Sequence, residues 1–326
     1  MTDTVTKPRA AHPPEEIKAV PVRHPGRWVA TVIILVLVAM LAHTLVTNDA
    51  FGWSIVGRNL FRHVVLVGVS HTIELTVLCQ VLGIIGGVIL AVMRLSPNPV
   101  LSWVSWLYIW FFRGTPLFVQ IIFWGFIAAV FKTIGFGIPF GPQFVTFQTE
   151  KLIPVFVAAV LALALNEAAY MAEIVRAGIL SVDRGQAEAA QSLGMSGSLT
   201  MRRIVLPQAM RVIIPPTGNE TISMLKNTAL VSAIAYLDLL YAAQLIYANN
   251  YQEIPLLVAA SLWYLFLTSL MTIGQYYVER HYARGSAREL PPTPIQRVRG
   301  FLSGKSGALP AGGPILGGFG RGGGQQ

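Results

Sequence analysis

The sequence predicts an all-α integral membrane protein with about six transmembrane helices. Of its 326 residues, 54% are hydrophobic and only 12% are charged, about half of the ~25% that soluble domains usually carry. Long apolar runs recur along the chain, and the first of them, residues 28–46, has no charged side chain. A helix of that length spans about 28 Å, close to the hydrocarbon thickness of a bilayer. The composition therefore excludes an ordinary soluble enzyme and favours a lipid-facing surface.

Both ends of the chain lack the apolar content of a folded segment. Residues 1–27 are polar and contain five prolines, and residues 285–326 are rich in proline and then in glycine. Both are predicted to be disordered because they cannot bury enough apolar surface. The run at 28–46 is predicted to be a retained helix. A signal peptide is the alternative, but the run leads into HTLVTND where a small-residue cleavage site is required.

Five further apolar runs complete the predicted set of spans. They are residues 64–93, 100–131, 152–180, 215–247 and 255–278. The third span contains Arg113-Gly-Thr-Pro116, which predicts an interfacial piece followed by a span. The fifth is expected to break at Pro215-Pro-Thr-Gly218, because proline lacks the amide donor of a helix. In the second, Gly83 and Gly87 have the spacing that lets another helix approach closely.

Basic residues indicate the orientation, because cytoplasmic loops of membrane proteins are enriched in Lys and Arg. With the N-terminus inside, seventeen of the 24 basic residues fall on the cytoplasmic side and four fall outside. The sequence therefore predicts a multi-pass protein with both termini cytoplasmic. The net charge of +9 follows from this orientation and does not indicate nucleic acid as a partner.

The sequence contains no catalytic or cofactor motif. A single cysteine, Cys79, excludes an intramolecular disulfide and a thiolate zinc site, and the six histidines lack metal-ligand spacing. The segment Gly304-Lys-Ser306 resembles the end of a phosphate-binding loop, but Arg299 stands where that loop requires glycine. The chain is therefore expected to hold no metal, cofactor or nucleotide of its own.

Polar side chains inside the fourth span are candidates for a functional role, because a charge at the bilayer centre costs at least about 2.5–3.5 kcal/mol. Asn166, Glu167 and Tyr170 form a predicted polar patch on the substrate pathway, with Glu167 meeting an amino group. Glu173 and Arg176 share a helix face and are predicted to neutralise each other near the cytoplasmic end.

The fifth span offers a second predicted lining of the substrate pathway, since broken helices bind polar solutes at membrane depth. Its candidate residues are Asn219, Lys226, Asn227 and Thr228. In the alternative interpretation Lys226 snorkels and pairs with an acid such as Glu220 or Asp238. Glu74 is interpreted as an interfacial pair with His71, one helical turn before it.

The most polar internal stretch, residues 181–212, lies between the fourth and fifth spans on the predicted cytoplasmic side. Good helix formers precede Gly194, which is a natural helix stop because glycine accepts the left-handed conformation. Ser196 or Ser198 is expected to cap a short second helix that ends at Pro207. Such a knob suits the docking of a soluble partner, and the alternative is a solvated helical hairpin.

The spacing within this stretch resembles the EAA loop of ABC importer permeases. The matching positions are Glu188, Ala189, Ala190, Gly194, Ile204, Leu206 and Pro207. Six further segments are similar to the polar amino-acid branch of that family: residues 72–76, 113–116, 169–178, 185–186, 207–209 and 225–229. The resemblance covers roughly residues 68–278, about two-thirds of the chain.

This resemblance implies a five-helix type I permease core over residues 64–280, with residues 28–46 as an extra N-terminal helix. It implies a coupling helix at about 193–203 that seats in a separate ATPase subunit, which holds the ATP and Mg. The other implied partners are a second permease copy or a sister permease, an extracytoplasmic substrate-binding protein and a polar amino acid, at the bacterial plasma (inner) membrane. The alternatives are an ion-coupled secondary transporter and an ABC importer for a different solute.

Overall fold

The computed structural model of the chain describes residues 25–138, 141 and 143–282. The tail predicted to be disordered, and all but the last three residues of the N-terminal arm, lie outside the described residues. Helical structure dominates the described part, as the sequence predicts.

The α-helices follow one another with short connections. They are α1 (Pro25–Thr47), α2 (Trp53–Leu60), α3 (His63–Leu95), α4 (Pro99–Gly114), α5 (Leu117–Gly125), α6 (Ile127–Val130), α7 (Thr149–Leu152), α8 (Val155–Leu180), α9 (Arg184–Ser192), α10 (Gly197–Thr200), α11 (Leu206–Asn227), α12 (Leu239–Asn250) and α13 (Glu253–Tyr282). Tighter 3-10 turns occupy Asp49–Phe51 and Thr228–Ile234, and a wider π-helical turn occupies Met201–Val205. An antiparallel hairpin of β1 (Thr133–Gly137) and β2 (Gln143–Gln148) connects α6 to α7.

The helices account for the predicted spans. Four of them, α1, α3, α8 and α13, are each long and apolar enough to cross a membrane. Two bent pairs raise the count to as many as six: α4 with α5, bent by 98°, and the helix that runs into α11 with α12, bent by 43°. The sharp bend between α4 and α5 confirms the predicted interruption at Arg113-Gly-Thr-Pro116.

The centre of the fold is the contact between α3 and α8, the most extensive helix pair in the described part of the chain. Small residues make this contact close. A Cβ on Gly87 would overlap the Met171 side chain and come within 2.9 Å of the Ala172 nitrogen. Between helices in lipid, van der Waals packing of this kind supplies much of the attraction, so the predicted role of Gly83 and Gly87 is confirmed.

The fifth span differs from the prediction at its prolines. Pro215 and Pro216 lie inside α11, which continues to Asn227 without a break. Each proline removes one amide donor, which leaves the carbonyls of Arg211 and Val212 without their usual helical donors. The helix is contacted here by α13, where Gln275 donates to the carbonyl of Pro215 (3.3 Å). The interruption comes later, at Ala235, whose φ of 59° ends the 3-10 turn before α12.

Candidate coupling and transport sites

The polar stretch between α8 and α11 folds as the helix–turn–helix that its sequence predicts. Asp183 caps α9 by accepting a hydrogen bond from the Gly185 amide (2.7 Å). At the other end Gly194 adopts a φ of +81°, and the Met195 amide donates back to the Ala190 carbonyl (3.1 Å). This is a Schellman-type helix end, which needs a left-handed residue at the glycine position. The predicted stop at Gly194 is confirmed.

The second half of the loop shows which serine caps its helix. The Ser196 hydroxyl accepts a hydrogen bond from the Leu199 amide (3.4 Å), so the residue that caps α10 is Ser196 and not Ser198. The expectation that this helix ends at Pro207 is wrong. The helical backbone passes from α10 through a π-helical turn into α11, where Pro207 lies in the first turn. Pro207 has no amide to donate inside this continuous helical stretch, and it lies directly after the π-helical turn.

The seven EAA-loop positions are divided between the surface and the interior. Ala190 is buried and Ile204 is half-buried, whereas Glu188, Ala189, Gly194, Leu206 and Pro207 are exposed. The tip beside Gly194 presents Leu193, whose side chain is 84% exposed. Leu193 is thus a large apolar side chain at the tip of the loop that the described part of the chain leaves uncovered.

The two helices that flank the loop, α8 and α11, pack closely against each other near the loop. Gly178 of α8 is buried against Ile213 of α11, and a Cβ at position 178 would overlap the Ile213 side chain. The absence of a Cβ at position 178 therefore lets α8 and α11 approach closely beside the loop.

Glu167 lies in the contact between α3 and α8 and is 4% exposed. Its stem occupies the space that a Cβ on Gly83 would fill. Its carboxylate accepts a hydrogen bond from Gln80 Nε2 (3.2 Å), while Gln80 Oε1 is buried with no hydrogen-bond partner. Glu167 is thus a deeply placed acid with a single polar side-chain neighbour on α3.

Asn166 points away from Glu167, toward the break in the third span. Its Nδ2 donates to the Phe112 carbonyl (2.9 Å) and to Gln120 Oε1 (3.3 Å). Tyr170, the third member of the predicted patch, lies under the guanidinium of Arg113, 5.2 Å from the ring centroid. Asn166, Glu167 and Tyr170 therefore contact three different sets of groups around α8.

The ion pair predicted at the cytoplasmic end of the fourth span is present. Arg176 Nη2 lies 2.8 Å from Glu173 Oε2, and it is the one salt bridge found among the residues that the structure describes. The predicted neutralisation within α8 is therefore confirmed.

The candidates in and after α11 have different surroundings. Asn219 Oδ1 accepts from Gln275 Nε2 (2.9 Å), and Thr228 is buried with its hydroxyl bonded to the Leu225 carbonyl (2.8 Å). Asn227 ends α11 and is half-buried. Lys226 is exposed and forms no ion pair within the described part of the chain.

Contacts around the start of α12 resolve the interpretations of the two remaining acids, Asp238 and Glu74. Asp238 caps α12 by accepting from the Tyr241 amide (2.9 Å), and it also accepts from the Tyr264 hydroxyl (3.1 Å), so it is not the partner of Lys226. His71 Nδ1 lies 2.8 Å from the Leu237 carbonyl and is not paired with Glu74, which is exposed.

Two glutamines that sequence reasoning passed over, Gln80 and Gln120, are central to these contacts. Each is a lone amide in an apolar helix, and each is about 95% buried. Their partners lie 87 and 46 residues away in the sequence. The only local sign of these contacts in the sequence is a polar side chain inside an apolar run, where it needs a hydrogen-bond partner within the protein.

The comparisons with known proteins agree with this arrangement. A family model described as the binding-protein-dependent transport system inner membrane component matches residues 83–284. The chain is 48% identical over 299 residues to the arginine transport system permease protein ArgU of Corynebacterium glutamicum, covering 91% of this chain and 92% of that relative. It is 37% identical over 247 residues to the L-cystine transport system permease protein TcyB of Bacillus subtilis, covering 75% and 97%.

Solved structures show the same fold. One, described as an amino acid ABC transporter with histidines, is matched with a TM-score of 0.57 and 36% identity over 67% of this chain and 94% of that chain. An inward-facing MetNI methionine ABC transporter is matched at 0.51 with 18% identity, which supports the fold alone.

A bundle of membrane-spanning helices with a helix–turn–helix between its fourth and fifth spans defines a permease subunit of an ABC importer. The chain belongs to the family of binding-protein-dependent transport system inner membrane components. It is the transmembrane permease of an amino-acid ABC transport system, and membership of the family implies an ATPase and a binding protein as its partners. The alternative of an ion-coupled secondary transporter is not favoured.

Proposed function

We propose that this permease imports a cationic amino acid of the arginine class. The observation that carries the proposal is the 48% identity with an arginine permease over nearly the full length of both chains. The other named relatives, such as the cystine permease, cover less of this chain at lower identity.

The chemistry of the interior supports this substrate class. Glu167 is a buried carboxylate that is not paired with a cation in the described part of the chain. An ionised carboxylate in such a place is costly unless a positive group compensates it. A guanidinium or ammonium group of the substrate meets that need when the α3–α8 contact opens during transport.

The proposed drive is ATP hydrolysis on a separate ATPase subunit, which binds the ATP and Mg. The exposed loop around Gly194 and Leu193 is the surface proposed to seat in that subunit, with both termini of this chain on the same, cytoplasmic side. The close contact of Gly178 with Ile213 supports the proposal that a displacement of the loop moves α8 and α11 together.

A second permease subunit, either another copy or a sister chain, is proposed to cover the charged groups that a lone subunit exposes within its spans. Glu74, Arg113 and Lys226 are all exposed although they lie in membrane-spanning segments. Contact of three such groups with lipid is unfavourable, whereas a polar pathway between two subunits satisfies them. An extracytoplasmic binding protein delivers the substrate to the outer end of that pathway.

The test is uptake into proteoliposomes that contain the purified permease, the ATPase and the binding protein. We expect ATP-dependent uptake of radiolabelled arginine in preference to glutamine and cystine. In Glu167→Gln, which keeps the shape of the side chain, arginine uptake is expected to fall by about tenfold or more because a desolvated charge pair is lost.

Glu150→Gln serves as the control, because Glu150 is exposed in α7 outside the spans. Uptake driven by a proton gradient without ATP contradicts the ATP-coupled mechanism. Equal uptake of arginine by wild type and Glu167→Gln removes Glu167 from the substrate pathway.

A further inference from the structure

The break between α4 and α5 leaves a backbone carbonyl without its helical donor. In a continuous helix the amide of residue 116 donates to the carbonyl of Phe112, but Pro116 has no N–H. The chain turns by 98° at this point, inside a segment that is otherwise apolar enough to span the membrane. Backbone polar groups at membrane depth must be satisfied from within the protein.

Gln120 places the two N–H groups of one side-chain amide among three acceptors at the break. Its Nε2 lies 3.0 Å from the Phe112 carbonyl, 3.1 Å from the Thr115 carbonyl and 2.7 Å from the Thr115 hydroxyl. The buried side-chain amide of Gln120, on α5, therefore binds groups on the α4 side of the break and stabilises the sharp turn.

Asn166 extends this cluster to α8. Its Nδ2 donates to the Phe112 carbonyl and to Gln120 Oε1, so both sides of the break are tied to the middle of that helix. One residue earlier on α8, the Leu165 carbonyl accepts from the Tyr108 hydroxyl of α4 (2.9 Å). Since α8 leads directly into α9 and the loop, the bent segment is attached to the helix nearest the loop.

We propose that Gln120 and Asn166 are positioning residues that make the α4–α5 segment move with α8 when the coupling loop is displaced. This inference rests on the proposed coupling role of the loop. Asn166 thereby positions the backbone at the break: one of its amide hydrogens is donated to the Phe112 carbonyl and the other to Gln120 Oε1. The bend opens or closes the pathway as one body with α8, not as an independent gate.

A spectroscopic distance tests this proposal in the assembled transporter. Spin labels are placed on Val119 of α5 and Ala177 of α8, both of which are exposed, while the native Cys79 is buried. In the wild-type background the distance between the labels is expected to stay the same with and without trapped ATP. In Gln120→Met, which keeps the length of the side chain but removes its hydrogen bonds, the distribution is expected to broaden or to shift with ATP.

Transport per ATP is the second readout. Loss of several buried hydrogen bonds at one site is expected to reduce arginine uptake per ATP hydrolysed by about tenfold in Gln120→Met. ATP hydrolysis itself is expected to stay within about twofold of wild type, because the docking loop is untouched. A merely structural role would lower uptake and hydrolysis together.

Two further variants serve as controls. Ser105→Ala removes another buried hydrogen bond of α4, from the Ser105 hydroxyl to the Leu90 carbonyl of α3 (2.7 Å), and is expected to leave uptake per ATP unchanged. Pro116→Ala restores the missing amide, so the double variant Pro116→Ala/Gln120→Met is expected to regain thermal stability but not coupling. The double variant also provides a folded protein if Gln120→Met alone does not assemble.

The outcomes separate this inference from the proposed function. If wild-type uptake does not depend on the ATPase, the proposed function fails. If uptake is ATP-driven but the wild-type label distance changes with ATP, only the joint movement of α4–α5 and α8 is overturned. The same holds if Gln120→Met or the double variant transports with wild-type efficiency per ATP.

Discussion

At the scale of single residues, Gly194 has a left-handed backbone within the surface proposed to dock the ATPase subunit. Its φ of +81° lies in the left-handed region, and a Cβ added there would meet no atom within 4 Å. Substitution at this position therefore acts through the backbone alone, because there is no neighbour to displace. The left-handed conformation costs an L-residue roughly 1–2 kcal/mol.

Gly194→Ala is accordingly expected to loosen the end of α9 and to lower the affinity for the ATPase subunit by about fivefold to thirtyfold, the factor that corresponds to that cost. Membrane insertion should be unaffected, because no span is altered. Co-purification of the ATPase with the tagged permease, titrated in detergent, measures the effect. Gly194→Asp adds a negative charge to the same surface and is expected to abolish transport.

Gly274→Ala is the matched control for this prediction. Gly274 also has no atom within 4 Å of an added Cβ, but it lies inside α13 with an ordinary helical backbone. Wild-type binding of the ATPase by Gly194→Ala would show that the left-handed turn does not shape the docking surface.

At the scale of elements, the contact between α3 and α8 determines how closely these two core helices pack. Gly83 accommodates the stem of Glu167, and Gly87 lies against Met171 one turn further along. The two glycines thus allow one helix pair to bury both an acid and an apolar side chain. The proposed transport role of Glu167 requires these helices to separate, because its side chain is only 4% exposed.

Gly87→Ala is expected to destabilise the permease because its Cβ would overlap Met171 and approach the Ala172 nitrogen at 2.9 Å. Overpacking of this kind costs about 1–3 kcal/mol, so the thermal midpoint of the detergent-solubilised protein should fall by several degrees. Gly57→Ala in α2, where an added Cβ has open space, should leave the midpoint unchanged. An unchanged midpoint in Gly87→Ala would mean that α3 can shift away from α8 at little cost.

The elements also show what the sequence alone can predict. Hydropathy identifies the spans, and the spacing of Glu188, Gly194 and Pro207 identifies the loop, because both signals are local. The continuity of α11 through Pro215 was missed because proline is a local helix-breaking signal, whereas the contacts of α11 with α8 and α13 are visible only in the fold. The contacts of Gln80 and Gln120 were missed for the same reason: they join helices that only the fold brings together.

At the scale of the whole molecule, the chain divides into a compact core and a peripheral helix. No residue in the membrane-spanning window of α1 is buried, whereas 61% of the corresponding window of α8 is buried. The solved amino acid ABC transporter chain is matched over 94% of its length by 67% of this chain. About two-thirds of this chain thus accounts for nearly all of that relative, whereas the arginine permease relative is matched over 92% of its own length by 91% of this chain.

The last prediction is that α1 is dispensable for the fold and for the stability of the core. A protease site inserted between Asn48 and Gly52 lets α1 be cut away after the protein has been inserted with its native topology. The hydrogen bond from Trp53 Nε1 to the Leu45 carbonyl (2.7 Å) is the side-chain tie that this cut breaks. Because α1 buries so little surface against the rest of the subunit, the thermal midpoint is expected to change by less than about 2 °C, the shift that corresponds to less than ~1 kcal/mol in a chain of this size. The uncut protein carrying the same insertion is the control for the insertion itself. A large drop in the midpoint after cleavage, with the uncut control unchanged, would show that α1 packs against the core or a second subunit in the assembled transporter.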